Sequence, residues 1–180
     1  GAGTMEDMKK LSDGVYETTI VGEVMDNADK ISSTRIRKLL SEGNVEDASL
    51  LLGRNFRTIG IVIGGEKKGR QLGFPTANVL PSEGSILPGN GVYAVRFIVD
   101  GTLMKGVCNV GIKPTFNNPD VISPMVEVHI LDYDGDLYDK EVAVEWVKHI
   151  RKEKKFESID ALIAQIELDK NKAIEILAKD

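Results

Sequence analysis

The residues best suited to chemistry lie in a glycine-rich stretch, residues 60–78, which reads GIVIGGEKKGRQLGFPTAN. Glycines let a backbone come close to a ligand and present its N–H groups to it. Among these glycines stand three cations, Lys67, Lys68 and Arg70. Local positive charge beside bare backbone favours an anion, and the stretch therefore predicts a site for phosphate.

Thr76 and Asn78, near the end of this stretch, are predicted metal ligands. They stand two positions apart, so on a strand their side-chain oxygens face the same way. Two neutral oxygens side by side suit Mg²⁺, which keeps water molecules and takes further ligands from substrate phosphates.

The stretch is not a P-loop, although Gly64 and Gly69 have the spacing of one. Arg70 and Gln71 stand where a P-loop requires Lys and Ser or Thr, and Pro75 opposes the helix that should follow. A nucleotide would therefore bind a glycine-rich turn between two strands. From the pattern alone, a solvated hairpin with a charged tip explains the same residues.

A second candidate is Glu127, in the alternating run VEVHI at residues 126–130. Alternation places Glu127 and His129 on one face of a strand and the three aliphatic residues on the other. Such a carboxylate is either paired structurally or kept for proton transfer, and the pattern leaves both open. We expect His129 to be a hydrogen-bonded strand residue and His149 to be exposed. Neither has a second ligand at zinc spacing.

Composition sets the class of protein. The chain has 180 residues, 42% of them hydrophobic, which suits one domain with an appendage. Its net charge of −5 argues against a nucleic-acid binder that relies on general charge. Cys108 is the only cysteine, which excludes an internal disulfide and fits a reducing cytoplasm. We see no membrane-spanning apolar run and no signal peptide. Residues 1–4 are typical of an expression-tag remnant.

The first third of the chain predicts short helices. Residues 5–30 are mixed, with a helix that ends near residues 8–11, a strand over 16–24 and a polar loop over 25–30. A capped helix then follows Ser32 or Ser33 and stops at Gly43. A second begins after Asn44 and ends at Gly53.

From Arg57 onward the pattern is that of strands, followed by one helix. Gly-rich turns and short alternating runs predict an antiparallel barrel or sandwich. Asp100 and Gly101 form a two-residue hairpin turn. Residues 82–90 and 111–119 are predicted loops, the second of which could cover a site. Ser158 caps a final helix whose apolar stripe packs on the barrel. Strands are predicted over residues 91–99, 103–110, 125–131, 137–138 and 142–150.

Residues 69–78, GRQLGFPTAN, resemble the signature of riboflavin kinase, in the bacterial type that forms the C-terminal half of bifunctional riboflavin kinase/FAD synthetase. The resemblance runs from about Ile31 to the C-terminus. It implies a six-stranded antiparallel Greek-key barrel over residues 54–180, with a C-terminal helix and a small α/β N-terminal appendage. It also implies transfer of the γ-phosphate of ATP to the 5′-hydroxyl of riboflavin, with Mg²⁺ as the metal.

The resemblance assigns roles to single residues. Glu127 becomes the base, and Thr76 and Asn78 become the metal ligands. The run RKEKKF at residues 151–156 matches a family element that borders the flavin, which implies flavin contacts for Arg151, Lys154 and Phe156. The implied ATP-binding residues are Gly65, Lys67, Lys68, Gly69, Arg70, Gly73, Pro75, Ile130, Asp132 and Tyr138.

The run ISSTRIR at residues 31–37 resembles the closing motif of the adenylyltransferase domain that precedes the kinase in the bifunctional enzyme. Residues 5–53 are therefore interpreted as a remnant of that domain. Its His-x-Gly-His element is missing from this sequence. FMN adenylylation is expected only in a full-length parent, and the missing half is a possible partner.

Three other functions compete with the kinase. A barrel that binds a flavin or nucleotide without chemistry would not need Thr76, Asn78 and Glu127 together. An oligonucleotide-binding barrel would need exposed aromatics among cations, and aromatics make up only 6% of the chain. A kinase for a different small alcohol would share the scaffold.

Overall fold

The computed structural model describes residues 4–19, 22–27, 29–65, 68–115 and 118–179, without the side chains of 68, 71, 113–115 and 118–124. The chain divides into two units, Gly1–Ser32 and Ser33–Asp180.

The first unit holds one helix and one small hairpin. Helix α1, Met5–Ser12, begins with a reciprocal cap, because Thr4 and Asp7 each accept a hydrogen bond from the other's backbone N–H. Strands β1, Met25–Asp26, and β2, Asp29–Lys30, pair antiparallel where the sequence predicted a loop. The strand predicted over residues 16–24 is wrong for its described part, which forms no strand. No residue of that part is buried, so it offers no packed face to stabilise strand pairing.

The second unit opens with two helices that pack on the barrel. Helix α2, Ser33–Ser41, ends near Gly43, whose φ of +81° suits glycine. The Asn44 side chain caps helix α3, Val45–Leu52, and accepts the N–H of Asp47. Both helices form where the sequence predicted them. Their buried residues Leu40, Val45 and Ala48 join the barrel core, while the origin of this segment in an adenylyltransferase domain stays a prediction.

Six antiparallel strands close into a barrel, which confirms the expected fold. Around the barrel the order is β3-β4-β7-β6-β5-β8. The strands are β3 Phe56–Ile63, β4 Ala77–Pro81, β5 Gly91–Val99, β6 Thr102–Thr115, β7 Asn118–Ile130 and β8 Glu141–Arg151. Alternate residues fill the core, led by the fully buried Trp146, Tyr93 and Phe97. The indole N–H of Trp146 donates to the Thr58 hydroxyl at 2.9 Å, so the largest core residue buries no unpaired polar group.

Two predicted segments differ from the structure. The loop predicted over residues 111–119 is largely strand, because β6 and β7 continue to pair from Gly111↔Met125 to Pro114↔Ile122. Past Gly111 the described ladder joins β6 to β7 alone, so Pro114 sits in an edge-like ribbon that tolerates its missing N–H. The strand predicted over residues 137–138 lies in the connection between β7 and β8.

Two helices complete the unit. Helix α4, Lys68–Gln71, is a single turn inside the stretch predicted as a plain turn. Helix α5, Ile159–Leu177, begins where the Ser158 hydroxyl accepts the N–H of Ala161. It packs on the barrel through Ala173 and Leu177, as the sequence predicted. Across the described ranges, no helix has both the length and the apolar character needed to span a membrane.

Candidate active site

Two cavities meet at Thr76, which lines both of them. The first, which we call the Glu127 cavity, encloses about 320 Å³ between the barrel and helix α5. The second, the Tyr138 cavity, encloses about 420 Å³ beside the connection from β7 to β8. Two cavities that share a lining residue can hold two bound molecules close to each other.

A row of three polar residues crosses the barrel wall at the Glu127 cavity. Glu127 on β7 lies directly opposite Asn78 on β4 and opposite Asn109 on β6. Opposed residues of neighbouring strands point to the same face, with Cβ atoms about 5 Å apart. All three side chains line the cavity, as does Thr76. The structure therefore brings together the predicted base and both predicted metal ligands.

Asn109 is a site residue to which the sequence assigned no role. The hairpin at Asp100 sets the register of β6 against β5. The register of β6 against β7 depends instead on a connection that the sequence presented as a loop. The sequence matches a family loop near the site at residues 109–116, with individual roles left open, but it does not pair Asn109 with Glu127.

Two glycines hold bare backbone against the predicted metal ligands. A Cβ added to Gly65 would lie 2.0 Å from the Asn78 Nδ2 atom. A Cβ added to Gly69 would lie 2.4 Å from the Phe74 carbonyl oxygen and 3.3 Å from the Thr76 hydroxyl. Any side chain at either position would displace these groups. Two neutral oxygens held at one cavity by bare backbone fit a hard cation that shares its coordination with phosphate.

The predicted ATP-binding residues divide between several places. Four of them line the Tyr138 cavity, namely Arg70, Pro75, Ile130 and Tyr138. Gly69 lines the Glu127 cavity, while Gly65, Gly73 and Asp132 line neither. Lys67 and the side chain of Lys68 lie outside the described part of the chain. Tyr133 also lines the Tyr138 cavity, a residue that the sequence did not single out.

The three predicted flavin contacts lie together on the wall of the Glu127 cavity. Phe156 is at the centre, with the Arg151 guanidinium carbon 5.8 Å and the Lys154 Nζ 5.1 Å from its ring centroid. Leu162 and Ile166 from α5 extend the wall as an apolar surface. A flat heterocycle requires this kind of surface.

The Arg151 guanidinium is engaged by Asp169 of α5. Its Nε and Nη2 atoms donate to the Asp169 carboxylate at 3.0 and 2.8 Å. Asp169 is only 4% exposed and also accepts from Gln165 at 2.8 Å. Arg151 therefore fixes helix α5 to the end of β8. Asp169 is a carboxylate on the helix stripe between Ile166 and Ala173, a signal that the sequence analysis overlooked.

Both histidines have identifiable surroundings. His129 lines the Glu127 cavity, and its Nδ1 atom lies 2.8 Å from the Pro75 carbonyl oxygen, so the expected hydrogen bond is present. His149 was predicted to be exposed and is half-buried, with its ring 4.9 Å from that of Tyr93. Burial lowers the pKa of His149 from its ordinary value. Within the described ranges, no three His, Cys, Asp or Glu side chains group closely enough to hold a metal.

A buried carboxylate on β8, Glu145, supports the barrel away from these cavities. It accepts hydrogen bonds from Arg57 at 2.6 Å, Arg96 at 2.8 Å and Asn55 at 3.2 Å. Burial works to raise the pKa of Glu145, but the hydrogen bonds from Arg96, Arg57 and Asn55 outweigh it, and the pKa lies below its ordinary value. Glu145 is therefore the centre of a structural charge network.

Comparison with known proteins adds a family to this geometry. A family model described as riboflavin kinase, or flavokinase, matches residues 52–177. The chain is 42% identical over 179 residues to a bifunctional riboflavin kinase/FMN adenylyltransferase of Listeria monocytogenes, and 45% identical over 174 residues to one of Bacillus subtilis. These alignments cover 99% and 97% of this chain but 56% and 55% of the relatives. The chain thus spans about half the length of the curated relatives it matches.

A solved structure is also similar. It is described as a macrolide-efflux protein from Streptococcus pneumoniae and matches with a TM-score of 0.82 at 37% identity. The match covers 94% of this chain and 54% of that one.

Proposed function

The chain belongs to the riboflavin kinase family, and we propose that it transfers the γ-phosphate of ATP to the 5′-hydroxyl of riboflavin, giving FMN and ADP. The observation that carries this proposal is the row of Asn78, Glu127 and Asn109 in a cavity that meets a second cavity at Thr76. A flavin-binding barrel without chemistry does not need a carboxylate in the cavity beside that junction.

The two substrates are assigned to the two cavities by their chemistry. Riboflavin occupies the Glu127 cavity, because its flat ring suits the apolar wall of Phe156, Leu162 and Ile166. ATP occupies the Tyr138 cavity. The rings of Tyr133 and Tyr138 suit the adenine ring, and Arg70 offers a cation to the phosphates. The 5′-hydroxyl and the γ-phosphate then meet at Thr76.

Glu127 is assigned the role of base. A carboxylate oxygen of Glu127 accepts the proton of the 5′-hydroxyl. The hydroxyl oxygen forms a bond to the γ-phosphorus, and the bond from that phosphorus to the β,γ-bridging oxygen breaks, so that this oxygen leaves with ADP. Positioning and charge neutralisation supply most of the rate in phosphoryl transfer. The amides of Asn78 and Asn109 flank the base and can orient the hydroxyl.

Mg²⁺ is the divalent metal that we propose, with the side-chain oxygens of Thr76 and Asn78 as its protein ligands. When bound, the ion neutralises charge on the phosphates. Lys67 and Lys68 are assigned to the same task by their place in the glycine-rich stretch. The bare backbone at Gly65 and Gly69 lets Asn78 and Thr76 lie close against it, where a Cβ at either position would displace neighbouring groups.

The setting of the enzyme is proposed from its cysteine content and charge. The buried, lone Cys108 fits a reducing cytoplasm, and the net charge of −5 is unfavourable for nucleic acid. FMN adenylylation is proposed only for a longer parent chain, in which the missing adenylyltransferase half would be the partner.

Mass detection of FMN tests this proposal. The chain is incubated with ATP, Mg²⁺ and riboflavin, and FMN and ADP are expected in equal amounts. Riboflavin that stays bound without forming FMN would favour the binding module and contradict the kinase. A panel of other small alcohols tests the competing kinase, because a better acceptor than riboflavin would identify a different substrate.

A further inference from the structure

A three-residue segment, residues 74–76, forms the partition between the two cavities. Phe74 lines the Glu127 cavity, Pro75 lines the Tyr138 cavity and Thr76 lines both. If the two substrates react across this segment, its position sets the distance between the attacking hydroxyl and the γ-phosphate. The means by which the partition is held is therefore relevant to the rate of transfer.

The strand ladder does not extend to the partition. The ladder between β4 and β7 ends at Ala77↔Val128, so residues 74–76 lie beyond its last pair. On the Gly69 side, one backbone hydrogen bond holds the segment, because the Phe74 N–H donates to the Gly69 carbonyl oxygen at 2.8 Å. On the β7 side, a side chain takes over from the ladder.

That side chain is His129, the next residue of β7 after Val128. Its Nδ1 lies 2.8 Å from the Pro75 carbonyl oxygen. A carbonyl can only accept, so Nδ1 carries the proton of this hydrogen bond. The Phe74 ring meets the imidazole edge-on, with centroids 5.6 Å apart and planes at 81°. One imidazole thus contacts the partition on both its Phe74 and its Pro75 parts.

We propose that His129 is a positioning residue of the transfer reaction. It fixes the partition through Pro75 and Phe74, and it thereby couples occupancy of the flavin cavity to occupancy of the nucleotide cavity. This inference rests on the proposed function. His129 is only partly buried and lies outside the barrel core, so its loss leaves the main source of stability intact.

Two variants separate the hydrogen bond from the ring. His129→Phe keeps an aromatic ring against Phe74 but removes the donor, and we expect kcat for FMN formation to fall about 10- to 100-fold, because small misplacements have effects of that size. His129→Asn places an amide N–H near the position of Nδ1, and it should recover most of the wild-type kcat. Melting temperatures should stay close to wild type in both. If His129→Phe does not fold, His129→Gln replaces it, since its longer side chain moves the amide away from the Nδ1 position.

A binding measurement completes the test. Riboflavin affinity is measured by quenching of flavin fluorescence, with and without ADP and Mg²⁺. We expect ADP to tighten riboflavin binding about fivefold or more in the wild type, with that gain lost in His129→Phe and kept in His129→Asn.

The possible results separate the two proposals. Wild-type kcat and wild-type coupling in His129→Phe would overturn the positioning role. A loss in His129→Asn equal to that in His129→Phe would also overturn it, because the donor would then make no difference. A wild-type protein that makes no FMN would overturn the proposed kinase, and the coupling measurement would still decide the role of His129.

Discussion

Replacing Gly65 with alanine should damage the proposed metal site without unfolding the barrel. The added Cβ would lie 2.0 Å from Nδ2, 2.6 Å from Cγ and 3.0 Å from Oδ1 of Asn78. Gly65 does not have a positive φ, so alanine at this position should cause no backbone strain. The clash is with the end of one side chain, so the Asn78 amide moves and the fold is kept.

The size of the effect follows from these distances. The added Cβ would lie 2.0 Å from the Asn78 amide nitrogen, whereas ordinary van der Waals contact begins at 3.4 Å. The amide nitrogen must therefore move away by about 1.4 Å. Mg²⁺ accepts ligands only within a narrow range near 2.1 Å, and a displacement of about 1 Å near reacting groups costs roughly 100-fold in rate. We therefore expect Gly65→Ala to lower kcat about 100-fold and to raise the Mg²⁺ concentration needed for half-maximal rate.

Gly64→Ala is the matched control, because among the described residues no atom beyond its two chain neighbours lies within 4 Å of its added Cβ. FMN formation is measured across a Mg²⁺ titration for both variants, beside their melting temperatures. Gly64→Ala should behave as wild type, and both variants should melt close to it. Equal Mg²⁺ titrations for the two variants would refute the assignment of Asn78 as a ligand.

Three further predictions concern stability. Asp169→Asn leaves the largely buried Arg151 guanidinium without its charged partner, so we expect the free energy of unfolding to drop by about 2–4 kcal/mol. The KM for riboflavin should rise more than kcat falls. An unchanged melting temperature would contradict this prediction. Glu145 has a lowered pKa, so the stability it adds is complete above its ordinary value of 4.5 and is lost as the pH falls through the lower folded-state pKa. Thermal melts should show a Glu145→Gln variant that is less stable near neutral pH and declines less steeply below pH 4.5, whereas parallel curves would count against it. The pKa of His149 is also lowered, so its contribution to folding stability is likewise lost as the pH falls below 6.5.

Local chemistry made much of the fold predictable. Asn44 and Ser158 cap helices in the structure because their side chains accept the free N–H groups of the first turn. Asp100 and Gly101 both have positive φ, as their hairpin turn requires. The strands they join were predicted over residues 91–99 and 103–110, and both form there. In each case the signal and the interaction lie within a few residues of each other.

The errors arose where distant partners decide the structure. Pro114 indicates a loop locally, yet the backbone there is strand because β7 pairs with it. The run at residues 16–24 was predicted as a strand, but no residue of its described part is buried, so it has no packed face. Secondary structure at these places follows from tertiary context, which overrides weak local preference.

The candidate site was predictable in its residues more than in its geometry. Side-chain chemistry and the family resemblance identified Glu127, Thr76 and Asn78. The barrel register then placed them at one cavity. Arg151 was assigned to the flavin, but its guanidinium is engaged by Asp169, eighteen positions along the chain. A residue pattern identifies a cation, while only the packed helix identifies its partner.

The central claim is that Glu127 acts as the base from its cavity, beside the junction at Thr76. The most direct measurement is the kcat of Glu127→Gln for FMN formation, together with its dissociation constant for ADP. Loss of a general base lowers rates by about 100-fold or more, so kcat should fall by at least that factor while ADP binding stays close to wild type. A variant that forms FMN at nearly the wild-type rate would contradict the account.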